Sequence, residues 1–307
     1  PDTGNVRMIT EVARKKGTYS ATDVLLGEFK MVKAGIKAKR GGVTISSKDF
    51  AGKFKFSERS FTEKEQALIP DIPDWYLIPE EVETICNFAQ KTTGSNVPMR
   101  NFMLRGAAGS GKTEGAKAIA AGLNLPYMFL TCSADDEKFD FVGQILPNIE
   151  GMNFADNADT ALIEAIKKGY LIEIQEPTVI SKQGVLVGLN SLLDNCKAIK
   201  LITGEVIERH PDTVIILTTN TDYNGCRELN QSIISRMNLI FDMNTPNAKT
   251  MAERAMGITG CKDKSVVRKM AETIEKIIKK CSEELITDGS CGMRELISWV
   301  QSYMICD

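Results

Sequence analysis

Histidine is almost missing from this chain: of 307 residues, only His210 carries an imidazole. That excludes histidine-rich metal sites and most chemistry centred on a histidine base. Cysteine occurs eight times but always singly, with no C-x-x-C pair. Neither a zinc site nor a disulfide framework is expected, and reduced thiols in a cytoplasm fit better. No apolar run approaches the roughly 20 residues that span a bilayer, and no charged-then-apolar leader opens the chain; no membrane partner is expected. An excess of one charge sign is lacking too. A net charge of −2 argues against a dedicated nucleic-acid surface. What remains, 43% hydrophobic and 25% charged residues, is the balance of an ordinary globular protein with room for two domains. The chain opens on Pro1 rather than Met and stops in a helix-like run, Leu296 to Cys306, so a cut piece of a longer protein is expected.

The informative stretch is Gly106-Ala107-Ala108-Gly109-Ser110-Gly111-Lys112-Thr113. It follows the apolar run Phe102-Met103-Leu104 and opens a helix-like run, Thr113 to Leu123. Strand, glycine-rich loop and helix are the context that a G-x-x-x-x-G-K-[ST] phosphate loop requires. Glycines at 106, 109 and 111 let the backbone turn tightly and present its N–H groups to phosphate oxygens. The start of the following helix, through Thr113 and Glu114, favours the same negative charge. Lys112 supplies a mobile cation for β- and γ-phosphates, and the Thr113 hydroxyl is placed to hold Mg²⁺. The sequence therefore implies ATP and Mg²⁺ as ligands.

Around this loop the pattern alternates. Strands are expected at Asn101–Arg105, Tyr127–Thr131, Tyr170–Gln175, Thr213–Thr219 and Leu239–Asp242. Helices are expected at Glu80–Lys91, Thr113–Leu123, Thr160–Lys168 and Val185–Asn195. Such alternation gives an α/β fold, a parallel sheet covered on both faces, with ligands at the carboxyl ends of the strands. After about Thr245 the pattern is helical, at Ala248–Met256, Lys264–Cys281 and Met293–Met304, with Gly257 to Gly260 and Thr287 to Gly289 as breaks. The expected organisation is an N-terminal extension of unknown role over 1–68, a P-loop α/β domain over 69–245 and a small all-α lid over 246–307. Prolines at 70 and 73 mark the first boundary. In the extension, short helices are expected at Ile9–Lys15 and Ala21–Val32 and a turn into a strand at Gly41–Ile45.

The third strand ends Glu173-Ile174-Gln175-Glu176. Phosphate-loop ATPases place Asp-Glu here, the Asp supporting the Mg²⁺ shell and the Glu activating water. Glu176 stands where the base belongs. Gln175 stands at the metal side, where a neutral amide can reach the ion through a bound water but adds no countercharge. Slow but real hydrolysis is expected. Glu173 shares a strand face with Gln175 but lies about 6–7 Å back along it.

With these elements in register, the chain from about Ile69 resembles an AAA+ ATPase of the MoxR and dynein-related branch, which includes the NorQ and CbbQ proteins. Tyr76-Leu77-Ile78-Pro79 resembles the segment leading into the ATPase core, and the resemblance places Tyr76 and Ile78 near the adenine. Phe139-Asp140-Phe141-Val142-Gly143 resembles the signature before an inserted hairpin facing the ring pore. A second inserted hairpin corresponds to Ile199–Leu201 and Glu205–Ile207 around Thr203-Gly204, after a helix running from Gly184 to Asp194. His210-Pro211 resembles the approach to the fourth strand, where a turn role suffices. Asn220, after Thr218-Thr219, resembles sensor 1, and Arg236 the arginine finger that acts in trans on a neighbouring subunit. Arg294, in Gly292-Met293-Arg294, resembles sensor 2 of the lid.

The resemblance implies a homo-oligomeric ring, a hexamer, that remodels or chaperones a protein client, with a von Willebrand factor A-type partner by analogy. A nucleotide-dependent scaffold with very slow turnover is the alternative that Gln175 opens. A small-molecule kinase is disfavoured by the Asn220, Arg236 and Arg294 series.

Overall fold

Short runs rich in branched and aromatic residues form the sheet, because such side chains fit a surface buried on both faces. The computed structural model describes residues 47–135, 145–147, 154–156, 161–181, 186, 189–194, 197–201, 204–220, 229–284 and 291–306. In chain order these hold α1 (Ser47–Phe50), α2 (Glu63–Gln66), α3 (Glu80–Lys91), β1 (Asn101–Arg105), α4 (Lys112–Leu123) and β2 (Tyr127–Thr131). Then come β3 (Ile145–Pro147), β4 (Phe154–Asp156), α5 (Ala161–Lys168), β5 (Leu171–Gln175), α6 (Asn190–Leu193), β6 (Ala198–Lys200) and β7 (Val206–Glu208). The last are β8 (Val214–Thr219), α7 (Gln231–Ile234), β9 (Leu239–Asp242), α8 (Ala248–Thr259), α9 (Lys264–Glu283) and α10 (Met293–Ile305). The expected helices at 9–15 and 21–32, the turn and strand at 41–45, the signature at 139–143, the break at 287–289 and much of the 185–195 helix lie outside the described residues.

Five strands pair in parallel in the order β2-β5-β8-β1-β9, the α/β sheet expected. All six residues of β8 are buried, as a central strand covered on both faces requires. One face carries α3 and α4, whose Val82, Ile85, Ile119 and Leu123 pack on Phe102, Leu104 and Ile216. The other carries α5, with Leu162, Ile163 and Ile166 against Ile172, Ile174 and Leu217. Each such side chain, wholly buried, contributes about 1.5–3 kcal/mol. Two small antiparallel pairs, β3–β4 and β6–β7, stand apart from the sheet; the second is the hairpin expected around Gly204.

Residues ahead of Ile69 share this core. Phe50 and Phe54 are buried among Leu123, Cys86 and Ala89, and the N–H groups of Gly52 and Phe54 donate to the carbonyls of Ala121 and Gly122 that end α4. Arg59 donates to the carbonyls of Lys168 and Gly169 at the end of α5. The segment thus ties together the C-terminal ends of α4 and α5, which lie on opposite faces of the sheet.

The three C-terminal helices form their own core around Met251, Ala255, Val267, Ala271, Leu296 and Val300. Asn247 and Asp263 cap α8 and α9 by accepting from the N–H groups of Thr250 and Val266. The break expected over Gly257 to Gly260 falls at its far end. Helix α8 runs through Gly257 to Thr259 and closes on Gly260 at φ 73°. Gly257 serves packing instead: a Cβ there would overlap Trp75, which lies against the bare helix backbone.

Candidate nucleotide-binding site

The register of β5, β8 and β1 sets Gln175 beside Thr218 and Thr219 beside Arg105. Their carboxyl ends are therefore level, and the next residues, Glu176, Asn220 and Gly106, emerge together. Gly106, Gly109 and Gly111 all have positive φ, at 158°, 77° and 96°. At Gly106 any side chain would overlap the Met243 carbonyl, so the loop's first turn admits only glycine.

Lys112, at the first turn of α4, is buried. Its Nζ donates to the carbonyls of Gly106 and Ala107, both at 3.0 Å, and to Asn220 Oδ1 at 2.7 Å. Asn220 in turn donates its backbone N–H to Glu176 Oε2 at 3.0 Å. Lys112, Asn220 and Glu176 are thus joined by hydrogen bonds across three strand ends. Glu176 sits at φ 53°, ψ 46°, a left-handed conformation that costs a non-glycine residue about 1–3 kcal/mol. The bond from its own N–H to the Thr218 carbonyl, 2.7 Å, holds it there, and Thr178 and Thr219 close the turn beneath through a hydroxyl pair at 2.9 Å.

Gln175 is held by a network. Its Oε1 accepts from Thr131 Oγ1 at 2.7 Å, and its Nε2 donates to Glu173 Oε2 at 3.1 Å. Glu173, wholly buried, also accepts from the hydroxyls of Tyr127 and Thr218. Three donors converge on it, the surroundings a carboxylate acceptor needs. Burial and this carboxylate push the Tyr127 hydroxyl pKa up, so it stays a donor.

The other expected residues fall in several places. Ser110 is buried and its Oγ lacks a partner among the described residues. Thr113 is partly exposed beside Lys112, whereas the Glu114 side chain is paired with Lys117 at the surface, 2.9 Å. Ala107 is partly buried and Ala108 exposed. Tyr76 and Ile78 are buried on the α3–α4 side, and desolvation raises the Tyr76 pKa. The start of α10 lies on the loop, with the Met293 nitrogen 3.8 Å from where a Gly109 Cβ would be and the Ala108 carbonyl 3.8 Å from where a Gly292 Cβ would be. Arg294 follows directly and is exposed.

Arg236 is not part of this cluster. Its carbonyl accepts from Asn101, the first residue of β1, so it sits at the opposite end of the sheet from the loop. Its guanidinium donates to Asp194 Oδ2 at 2.8 and 3.1 Å and to the Ser232 carbonyl at 2.6 Å. It lines a cleft of about 260 Å³ with Arg100, Lys197 and Arg209.

The residues present fit a nucleoside triphosphate. Glycines at positive φ form a cradle no side chain would allow, Lys112 Nζ lies at its floor, and Ser110 Oγ awaits a partner. Among the described residues no group of three His, Cys, Asp or Glu could hold a metal by itself. Thr113 and Gln175 would hold Mg²⁺ together with phosphate oxygens and waters, the usual manner for this ion.

Residues 101–237 match the family model of the AAA domain, dynein-related subfamily. The chain is 26% identical over 218 residues to an uncharacterised protein of Staphylococcus saprophyticus, covering 70% of this chain and 81% of that one. It is 25% identical over 200 residues to the uncharacterised protein YojN of Bacillus subtilis, covering 64% and 65%. Among solved structures, Hsp104 in its closed state with ATPγS and FITC casein superposes with a TM-score of 0.52 at 16% identity, over 74% of this chain. That likeness shows the fold, and the chain spans only 44% of the Hsp104 chain. The matched stretch, with its parallel sheet, supports an AAA+ nucleotide-binding domain. No described helix is long and apolar enough to cross a membrane.

Two features around the loop are not legible in the sequence alone. One is the Tyr127–Glu173–Gln175–Thr131 network, foreshadowed by alternate polar residues on two adjacent strands. The other is Arg254 on α8, buried against Tyr76 and the loop. Its signal is an arginine three residues after Met251, with Ala252 and Ala255 close by, small residues that let neighbouring backbone approach.

Proposed function

We propose that this chain binds and hydrolyses ATP as an AAA+ motor subunit of the MoxR-like kind. It works in a homo-oligomeric ring, a hexamer, and remodels or chaperones a protein client, with a von Willebrand factor A-type protein as partner. The observation that carries the reading is the chain of bonds from Lys112 Nζ to Asn220 Oδ1 and from Asn220 N–H to Glu176 Oε2, which joins the loop, the polar sensor and the base at three adjacent strand tips. Lys112 would neutralise the β- and γ-phosphates, Thr113 and Gln175 would hold Mg²⁺, and Glu176 with Asn220 would orient and deprotonate the attacking water. Arg236 would enter from a neighbour, and Arg294 on the lid would register the nucleotide.

A second reading, a nucleotide-dependent scaffold of very slow turnover, is favoured by Gln175, whose amide replaces a carboxylate and is committed to Thr131 and Glu173. Both are tested by ATP binding and phosphate release at rising protein concentration, with sedimentation alongside. The motor reading expects Mg²⁺–ATP to bind, assembly to follow and turnover per subunit to rise with assembly. Tight binding with a single slow turnover selects the scaffold. No binding by the wild type, or equal binding by Lys112→Ala, overturns both.

A further inference from the structure

Among the described residues three arginines are nine-tenths or more buried: Arg100, Arg209 and Arg254. A buried guanidinium is costly unless its donors and charge are met. Arg209 donates to the carbonyls of Leu192, Arg100 and Thr213 and to Asn101 Oδ1. Arg100 donates to the carbonyls of Pro211, Ala89 and Met99 and to Thr93 Oγ1. Arg254 has one such bond, from Nη2 to the Leu77 carbonyl at a long 3.3 Å. Its Nε is buried without a partner, and no carboxylate pairs with it among the described residues.

Its remaining neighbours are informative. The guanidinium lies 5.5 Å from the Tyr76 ring centroid. A methyl group placed on Gly111, the residue before Lys112, would sit 3.7 Å from Nη1. The next loop residue, Ser110, also buries an unpartnered hydroxyl. A lid cation short of hydrogen bonds and of an anion therefore touches the loop built to receive phosphates.

We propose that Arg254 is a nucleotide-binding residue, its guanidinium donating to the phosphate oxygens of the nucleotide held by residues 106–113. This rests on the reading of that loop as a nucleotide site. Arg294 approaches the loop from α10 and is exposed; Arg254 approaches from α8 and is already buried there. Nucleotide binding would satisfy the guanidinium and fix α8 against the Tyr76–Leu77 segment, coupling the lid's first helix to the ligand.

Trp75 supplies a readout. It packs on Gly257, three residues beyond Arg254 on the same helix, so its emission reports the position of α8. With Trp299 replaced by Phe, Trp75 is the only indole, since the chain holds two. In this background ATP and AMP affinities are measured by displacement of a fluorescent ATP analogue, and Trp75 emission is followed at saturating Mg²⁺–ATP. Arg254→Gln is expected to weaken ATP by about tenfold to a hundredfold, the range for a lost charge-assisted bond, to compress the ATP-to-AMP affinity ratio, and to abolish the Trp75 response. Unchanged ATP affinity overturns the proposal. So does an equal loss for ATP and AMP with a lower melting temperature without nucleotide, the mark of a strap to Leu77 alone. If Arg254→Gln fails to fold, Arg254→Lys decides: it keeps the charge and loses the planar fork, and wild-type ATP affinity overturns the proposal. Wild type and Lys112→Ala binding alike overturns the nucleotide reading itself, so the two failures are distinct.

Discussion

The Gln175 amide and the buried Glu173 carboxylate are hydrogen-bonded along one face of β5, Nε2 to Oε2 at 3.1 Å. The carboxylate that phosphate-loop ATPases carry at the strand tip has its counterpart one pleat deeper here, in Glu173, and Gln175 stands between it and the loop. Gln175→Asp would set a second carboxylate beside Glu173. At a separation of about 5 Å and an effective dielectric of 20 the repulsion is about 3 kcal/mol, less where water screens the outer group. The single variant is expected to lose about 1–3 kcal/mol, at about 2–4 °C in Tm per kcal/mol. Glu173→Gln with Gln175→Asp is expected to recover the stability and to release phosphate faster than wild type. A double-mutant cycle in Tm with no coupling would show that the two side chains do not sense each other.

Arg236 and Glu176 make a second test, because they lie at opposite ends of the sheet. Arg236 is folded onto Asp194 within its own chain, so a part in hydrolysis requires it to leave that carboxylate for a neighbour's phosphate. Arg236→Ala and Glu176→Gln are each expected to bind ATP and to lower phosphate release by about 10²–10³-fold or more. Mixed together they should regain turnover, since an interface can then pair an intact Arg236 with an intact Glu176. Mixing without recovery would remove Arg236 from the mechanism and return it to a helix-end ion pair.

Much of this arrangement was legible in the sequence where the signal is local. The glycine spacing of 106–111 dictates a turn that only glycine can make, and β1, β2 and β9 have the bounds that their apolar runs predict. What depends on distant packing was not legible. Gly257 reads as a helix break by propensity, yet Trp75, far off in sequence, uses it as a contact surface. Nothing local sets Arg254 apart on its helix; its role depends on Tyr76 and Gly111, which the fold brings to it. Gln175 is a visible departure in the sequence, but its bond to Glu173 depends on Thr131, Tyr127 and Thr218, which only the fold assembles.

Phe50 gives a stability prediction for the segment ahead of the prolines. Its ring is fully buried against Phe54 and the end of α4, close enough to Gly122 that a Cβ there would press on it. Phe50→Ala is expected to cost about 3–5 kcal/mol through lost transfer energy and the cavity left behind. Gly122→Ala should destabilise by about 1–3 kcal/mol through overpacking. Urea unfolding measures both, and a wild-type midpoint for Phe50→Ala would mean that residues 47–56 are dispensable to the core.

The lone imidazole allows a prediction free of overlap. Burial lowers the His210 pKa below 6.5, the nearby Arg59 guanidinium lowers it further, and Asp212 opposes them. Nδ1 accepts from the Asp212 N–H at 3.1 Å, a bond that requires the ring to be unprotonated at that nitrogen. Folding therefore disfavours the proton, so this contribution to stability is fully present above pH 6.5 and is lost as pH falls from 6.5 through the lower folded value. The ring C–H resonance of His210 should titrate below 6.5 in the native protein and near 6.5 in urea. His210→Asn should flatten the stability profile between pH 7 and pH 5, above the range where most carboxylates titrate. A native midpoint above 6.5 would mean that Asp212 outweighs both burial and Arg59, and that the ring is held as a cation.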